Sequence, residues 1–137
     1  MYIWNVLKLI DKSSKHYTKL INACRRTREK ISSTNSTPRL NEVAHSYFLE
    51  GCVYSQVGKD YKNSQKIFEH IIRKYASAFE AQSYVIPYTY FELANVHFNL
   101  GNQDKCKELI ADIHFQFVFF LPQDLTAGVQ VLCGLFG

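Results

Sequence analysis

The feature that most constrains this chain is an internal duplication. Between Tyr47 and Ile113 one pattern is written twice. The first copy is Tyr47-Phe-Leu-Glu-Gly51-Cys-Val-Tyr54, then Gly58, Ser64 and Phe68. The second is Tyr90-Phe-Glu-Leu-Ala94-Asn-Val-His97, then Gly101, Cys106 and Ile110. In both, a small residue follows the aromatic by one helical turn and a glycine ends the run. Helical spacing on either side of a glycine describes two helices joined by a tight turn. A hairpin of this kind cannot bury its apolar face alone, so the copies must pack on each other.

Further helices are expected on either side of the duplication. Residues 2–10 place Ile3, Trp4, Leu7 and Ile10 at three-four spacing, and the segment from about His16 to Ser32 does the same with Tyr17, Leu20, Ile21, Cys24 and Ile31. The other face of that second segment carries Lys15, Lys19, Arg25, Arg26 and Lys30, which predicts an amphipathic helix with a basic outer side. Ser32 to Pro38 reads as a linker of turn-forming residues, with Thr37-Pro38 as a helix start. The next helix is expected from about Arg39 to Val57, ended by Gly58 in the left-handed conformation. Asp60 opens its partner, about Tyr61 to Tyr75, with Ile67, Phe68, Ile71 and Ile72 inward. Pro87 is tolerated only in a first turn, so a helix should begin near Val85–Pro87 and run to Leu100. Gly101 breaks it, and Asn102 caps the last helix through about His114.

The glycines Gly58 and Gly101 stand 43 positions apart, against about 34 for a minimal repeat. One extra residue sits in the Gly58–Tyr61 turn, and the other eight or so must lengthen the second helix of the first copy or the loop before Pro87. From Phe115 the character changes. Phe115-Gln-Phe-Val-Phe-Phe-Leu121 lacks a polar face, Pro122 stops any helix, and Val129 to Gly137 is apolar. Two β-prone, weakly charged segments of this kind read as an irregular, aggregation-prone tail. The division is therefore N-terminal helices over 1–32, a linker over 33–38, two hairpins over 39–114 and a divergent apolar tail over 115–137.

Composition limits function more than fold. The net charge of +4 is unevenly spread: residues 1–39 hold nine Lys/Arg against two acids, and the remainder seven against ten. The basic character belongs to the N-terminal arm. Cys24, Cys52, Cys106 and Cys133 include no Cys-x-x-Cys pair, which fits neither a zinc site nor a disulfide scaffold and suits a reducing compartment. The start lacks the marks of a signal peptide. No window approaches the roughly 20 apolar residues of a membrane-spanning helix. An intracellular, cytoplasmic protein without a transmembrane segment is expected.

The duplicated pattern resembles the tetratricopeptide repeat, in which an aromatic, Leu-Gly, Tyr, then Ala and an aromatic mark each helical hairpin. Within that class, residues 1–113 resemble the C-terminal part of the tetratricopeptide repeat protein 39 family, through Tyr2-Ile-Trp-Asn5, Phe48-Leu-Glu-Gly-Cys-Val-Tyr54 and Tyr84-Val-Ile-Pro-Tyr-Thr-Tyr-Phe-Glu-Leu-Ala94. The resemblance implies an all-α fold, a fragment of an α-solenoid, and a C-terminal piece or short isoform of a longer chain. It implies a non-catalytic scaffold or adaptor, with members linked to lipid handling or ciliary assembly. It carries over no catalytic residue and no cofactor.

In stacked hairpins of this kind the first helix of each pair lines the concave face. The corresponding partner-binding positions are His45, Phe48, Cys52 and Ser55, then Tyr88, Phe91, Asn95 and Phe98. That lining is aromatic and nearly uncharged, so it suits an apolar protein or peptide ligand. It also suits cover by missing helices of a longer chain, and both readings stand. A carboxylate clamp of paired Lys and Asn is excluded, since only Asn95 matches. His97 and Cys106 are expected in the core. The five histidines never pair at i, i+4 with a second ligand, and neither a nucleophile turn nor a phosphate loop is present, so neither a metal nor an enzyme is expected. The Arg25-Arg26-x-Arg28-x-Lys30 run reads as a solvated face; contact with RNA or an anionic membrane is the alternative, and nucleic acid is not the expected partner. A truncated product without independent function is a further alternative.

Overall fold

The computed structural model describes residues 15–32, 40–76, 85–117 and 123–134, and every regular element among them is helical. Helix α1 spans Lys15–Ser32. Helix α2 spans Leu40–Cys52 and runs on as a π-helical turn over Val53–Val57. Helices α3 (Tyr61–Tyr75), α4 (Val85–Asn99), α5 (Gln103–Phe117) and α6 (Gln123–Gly134) complete the order. The predicted helix over 2–10, the Ser33–Pro38 linker and the Thr37-Pro38 start lie outside the described residues.

Helices α1 to α5 pack chiefly on their neighbours in sequence, whereas α6 lies against both α4 and α5. The α2–α3 pair is antiparallel: Tyr47 faces Tyr75 at a ring separation of 6.4 Å, while Phe48 faces Phe68 at 6.0 Å. Gly51 is required there by close approach. A β-carbon at Gly51 would stand 2.6 Å from Cε1 of the buried Phe68. The two hairpins meet chiefly where α4 packs on α3, and their first helices also touch, Phe48 approaching Tyr88 edge-on at 6.5 Å. Phe68, Ile71, Leu93, Val96, Leu109 and Ile113 extend one continuous apolar core through α3, α4 and α5. Ile67 and Ile72 pack against it, as expected.

The turn between α2 and α3 differs from the expected form. Gly58 has φ −79° and remains right-handed, whereas Lys59 takes the left-handed conformation with φ 51°. The π-turn is the cause. Gly58 N donates to Val53 O at 3.1 Å and Asp60 N to Tyr54 O at 2.9 Å, so the reversal comes one residue later. Glycine at 58 serves a contact instead: its added β-carbon would lie 2.9 Å from Cζ of Tyr17 in α1. Asp60 caps α3 as predicted, accepting from Asn63 N. At the equivalent turn Gly101 is left-handed with φ 83°. Asn102 N donates to His97 O at 2.8 Å, closing the end of α4.

Helices α3 and α5 are both 15 residues long. Beyond the one extra residue in the turn before Tyr61, the surplus of the 43-residue spacing therefore lies between Tyr75 and Val85, before Pro87, and does not lengthen α3. Pro87 is the third residue of α4, inside the first turn where its missing N–H is harmless.

In the basic run of α1 the second correction is confined to Arg28, since Lys15, Lys19, Arg25, Arg26 and Lys30 are exposed as expected. Ile21 and Ile31 are buried and Tyr17 and Leu20 packed, as the spacing predicts. Arg25 stays about half exposed while Nε donates to Glu50 Oε1 at 3.0 Å and Nη2 to Tyr54 Oη at 2.8 Å. Arg28 donates to Glu50 Oε2 and to Ser46 Oγ, each at 3.3 Å, and its guanidinium lies 4.0 Å from the Tyr47 ring centre. The buried Glu50 draws these cations because an uncompensated carboxylate in the core is costly.

The third correction concerns the tail. Helix α5 runs past His114 to Phe117, and Gln123–Gly134 forms α6 in place of an irregular segment. Leu125, Val129 and Leu132, one helical face, are buried. The segment reads as β-prone and irregular, but its Val131 is exposed while one helical stripe is buried, so tertiary packing decided the element.

Candidate functional site

The eight predicted partner-binding positions separate into two groups. Phe48, Cys52, Ser55, Tyr88 and Phe91 are buried, whereas His45, Asn95 and Phe98 are half-buried. Three aromatics of the lining, Phe48, Tyr88 and Phe91, are therefore covered within the chain, and Phe98 stays partly exposed. Phe48 and Tyr88 pack on each other across the hairpins. Phe91 lies under α6, where a β-carbon at Gly128 would stand 2.7 Å from its Cζ. The segment expected to be an irregular tail is thus the helix that covers this ring.

What stays open is a polar cleft of about 290 Å³ between the two first helices. Ser55 and Asn95, both predicted, meet in it. Gln56, Lys59, Tyr61, Glu92, Val96 and Asn99 complete its walls. Glu92, Asn95, Val96 and Asn99 form one stripe of α4 at three-four spacing. The opposite wall comes from the π-turn and the strained residue after it. A π-turn adds a residue to the helical turn, rotating the next residues about the axis by about 100°. Such turns and left-handed non-glycine residues often stand at functional sites.

Glu92 is the buried charge-bearing residue of the cleft, at 1% exposure. Its Oε2 accepts from Gln56 Nε2 at 3.4 Å, a long contact. Asn99 Nδ2 donates to Asn95 O at 2.8 Å. Beneath the cleft, burial and then the Glu92 carboxylate push the Cys52 thiol well above its usual range. A thiol held protonated is a poor nucleophile. Burial likewise raises Cys106 to about 11, with Cys133 adding. Sequence reasoning missed Glu92 and Gln56. The available signal was an acid inside the otherwise uncharged run Val85 to Val96.

His97 and Cys106 are buried, as expected. His97 Nδ1 lies 3.3 Å from Asn102 Nδ2, and Nε2 lies 4.0 Å from Glu69 Oε1. Burial lowers its pKa, and Glu69 partly opposes the shift. Nearby, a second cleft of about 370 Å³ is lined by apolar Ile72, Leu93 and Leu109 and rimmed by charged residues of both signs. Among the described residues no group of three His, Cys, Asp or Glu could hold a metal. No described helix is long and apolar enough to cross a membrane. Compared with protein-family models, curated proteins and solved structures, the chain matches none.

Proposed function

We propose that this chain is a non-catalytic protein-interaction module built of two tetratricopeptide-like hairpins, and that the polar cleft holds a segment of its partner. Two features support the hairpin reading: α2–α3 and α4–α5 repeat one helix-turn-helix layout, and their first helices meet directly. The observation that carries the binding reading is the convergence of Ser55 and Asn95 in one open cleft. These two positions, on different hairpins, correspond to ligand contacts in the repeat that the sequence resembles. Side-chain amides suit a peptide, since each offers donors and an acceptor to a main chain. The resemblance to the tetratricopeptide repeat protein 39 family belongs to the same proposal and agrees with an adaptor role. Capture of partners from cell extract by the chain, compared with Asn95→Trp, tests the cleft. Loss of the same partners with an unchanged helical spectrum supports it, and an unaltered partner set refutes it.

A second reading, in which the chain works only against further helices, draws support from Phe115 and Val131, which are 89% and 69% exposed. A cooperative, monomeric melt would count against it; aggregation would favour it. The reading as an anionic-surface binder is weakened because Arg25 and Arg28 bind Glu50.

A further inference from the structure

The cleft's own chemistry narrows the ligand, on the premise that the cleft binds a peptide. Its walls combine a buried carboxylate, neutral amides and the cation Lys59, which is exposed at the turn. Glu92 is held from the cleft side by the amide of Gln56, at 3.4 Å. Gln56 is itself only half-buried and belongs to the π-turn, so it can swing aside without disturbing the core. Its amide N–H stands where a stronger donor would stand. A guanidinium or ammonium in that place would make a charge-assisted hydrogen bond, shorter and about twice as strong as an amide's. The 290 Å³ volume admits one long side chain. Asn95 and Asn99, one turn apart on the same stripe, are set to meet the main chain beside it.

We propose that the cleft receives a single basic side chain, arginine or lysine, of a bound peptide, with Glu92 as counter-charge and Gln56 as the group displaced. Lys59 refines this. A run of basic residues would be repelled at the rim, whereas an acidic residue next to the inserted one would be attracted. The preferred motif is therefore one basic residue flanked by an acid.

The test is a titration of the isotope-labelled full chain with capped pentapeptides, read through the side-chain amide signals of Gln56, Asn95 and Asn99. The central residue is arginine, lysine, citrulline (the neutral isostere of arginine) or leucine, with glutamate beside it. The arginine or lysine peptide is expected to bind at least about tenfold more tightly than the citrulline peptide, a difference of about 1.4 kcal/mol. Glu92→Gln should bring the basic peptides to the citrulline level, and Lys59→Ala should remove any advantage over a serine-flanked control. If Glu92→Gln loses the helical spectrum, Asn95→Leu, which narrows the cleft from a half-buried position, must abolish the shifts. Equal binding of citrulline and arginine overturns the charge assignment while leaving peptide binding intact. If none of the four peptides moves these signals, peptide binding at the cleft falls as well.

Discussion

Two turn positions and one glycine inside a helix separate backbone cost from steric cost. Gly101 has φ 83° with nothing near its missing β-carbon. Gly101→Ala should therefore cost about 1 kcal/mol through backbone strain alone. Gly51 has ordinary helical backbone but no room, and Gly51→Ala should cost about 1–3 kcal/mol by forcing the Phe68 ring out of place. Lys59, left-handed without being glycine, predicts the opposite sign: Lys59→Gly should be neutral or stabilise by up to about 1 kcal/mol. Urea denaturation of the three variants measures all of these. The duplication marked both turn glycines, but it could not separate their reasons. One serves φ and the other serves a tyrosine on a different helix, and only packing distinguishes them.

At the scale of elements, α1 is attached to the hairpins by charge as well as by apolar contact. Glu50 is almost wholly buried, so Glu50→Ala should cost about 3 kcal/mol or more by leaving Arg28 desolvated without its partner. Arg25 is about half exposed, and Arg25→Ala should cost no more than about 1 kcal/mol. Arg28→Ala should lie between, and chemical denaturation of the three orders them. The helix boundaries of α1, α3 and α4 were legible because spacing, caps and Pro87 agree locally. The partners of Arg25 and Arg28 were not, because a basic stripe looks the same whether it meets water or a buried acid on another helix. Helix α6 was hidden for a related reason. Its stripe of Leu125, Val129 and Leu132 has helical spacing, but interleaved apolar residues mask the period. Leu125→Ala should cost about 2–5 kcal/mol and raise binding of a hydrophobic dye as Phe91 is uncovered.

For the molecule as a whole, three histidines give stability a direction with pH. Burial lowers His45, His70 and His97 below their usual 6.5; Lys74, Arg73 and Arg28 add to the shift at His70, while Glu69 resists it at His97. Between the lowered folded value and 6.5 the unfolded chain binds more protons, so stability falls as pH drops through that window. The melting temperature should decline from pH 7.5 towards pH 5, and His97→Gln should flatten the curve. A melting temperature that rises over this range would contradict the assignment. The all-α class and the pairing of hairpins were readable from one duplicated pattern. The character of the open cleft was not, since it depends on which aromatics the chain itself covers.

That cover has a consequence for binding. Any ligand seeking the aromatic lining must first lift α6 from Phe91, so its apparent affinity equals its intrinsic affinity reduced by the small fraction of molecules with α6 undocked. A partner that used the polar cleft would have no helix to lift, only the Gln56 side chain to move aside. The chain thus ranks its ligands before contact is made, and a substitution that loosens α6, such as Gly128→Val, would admit apolar partners that the intact protein turns away.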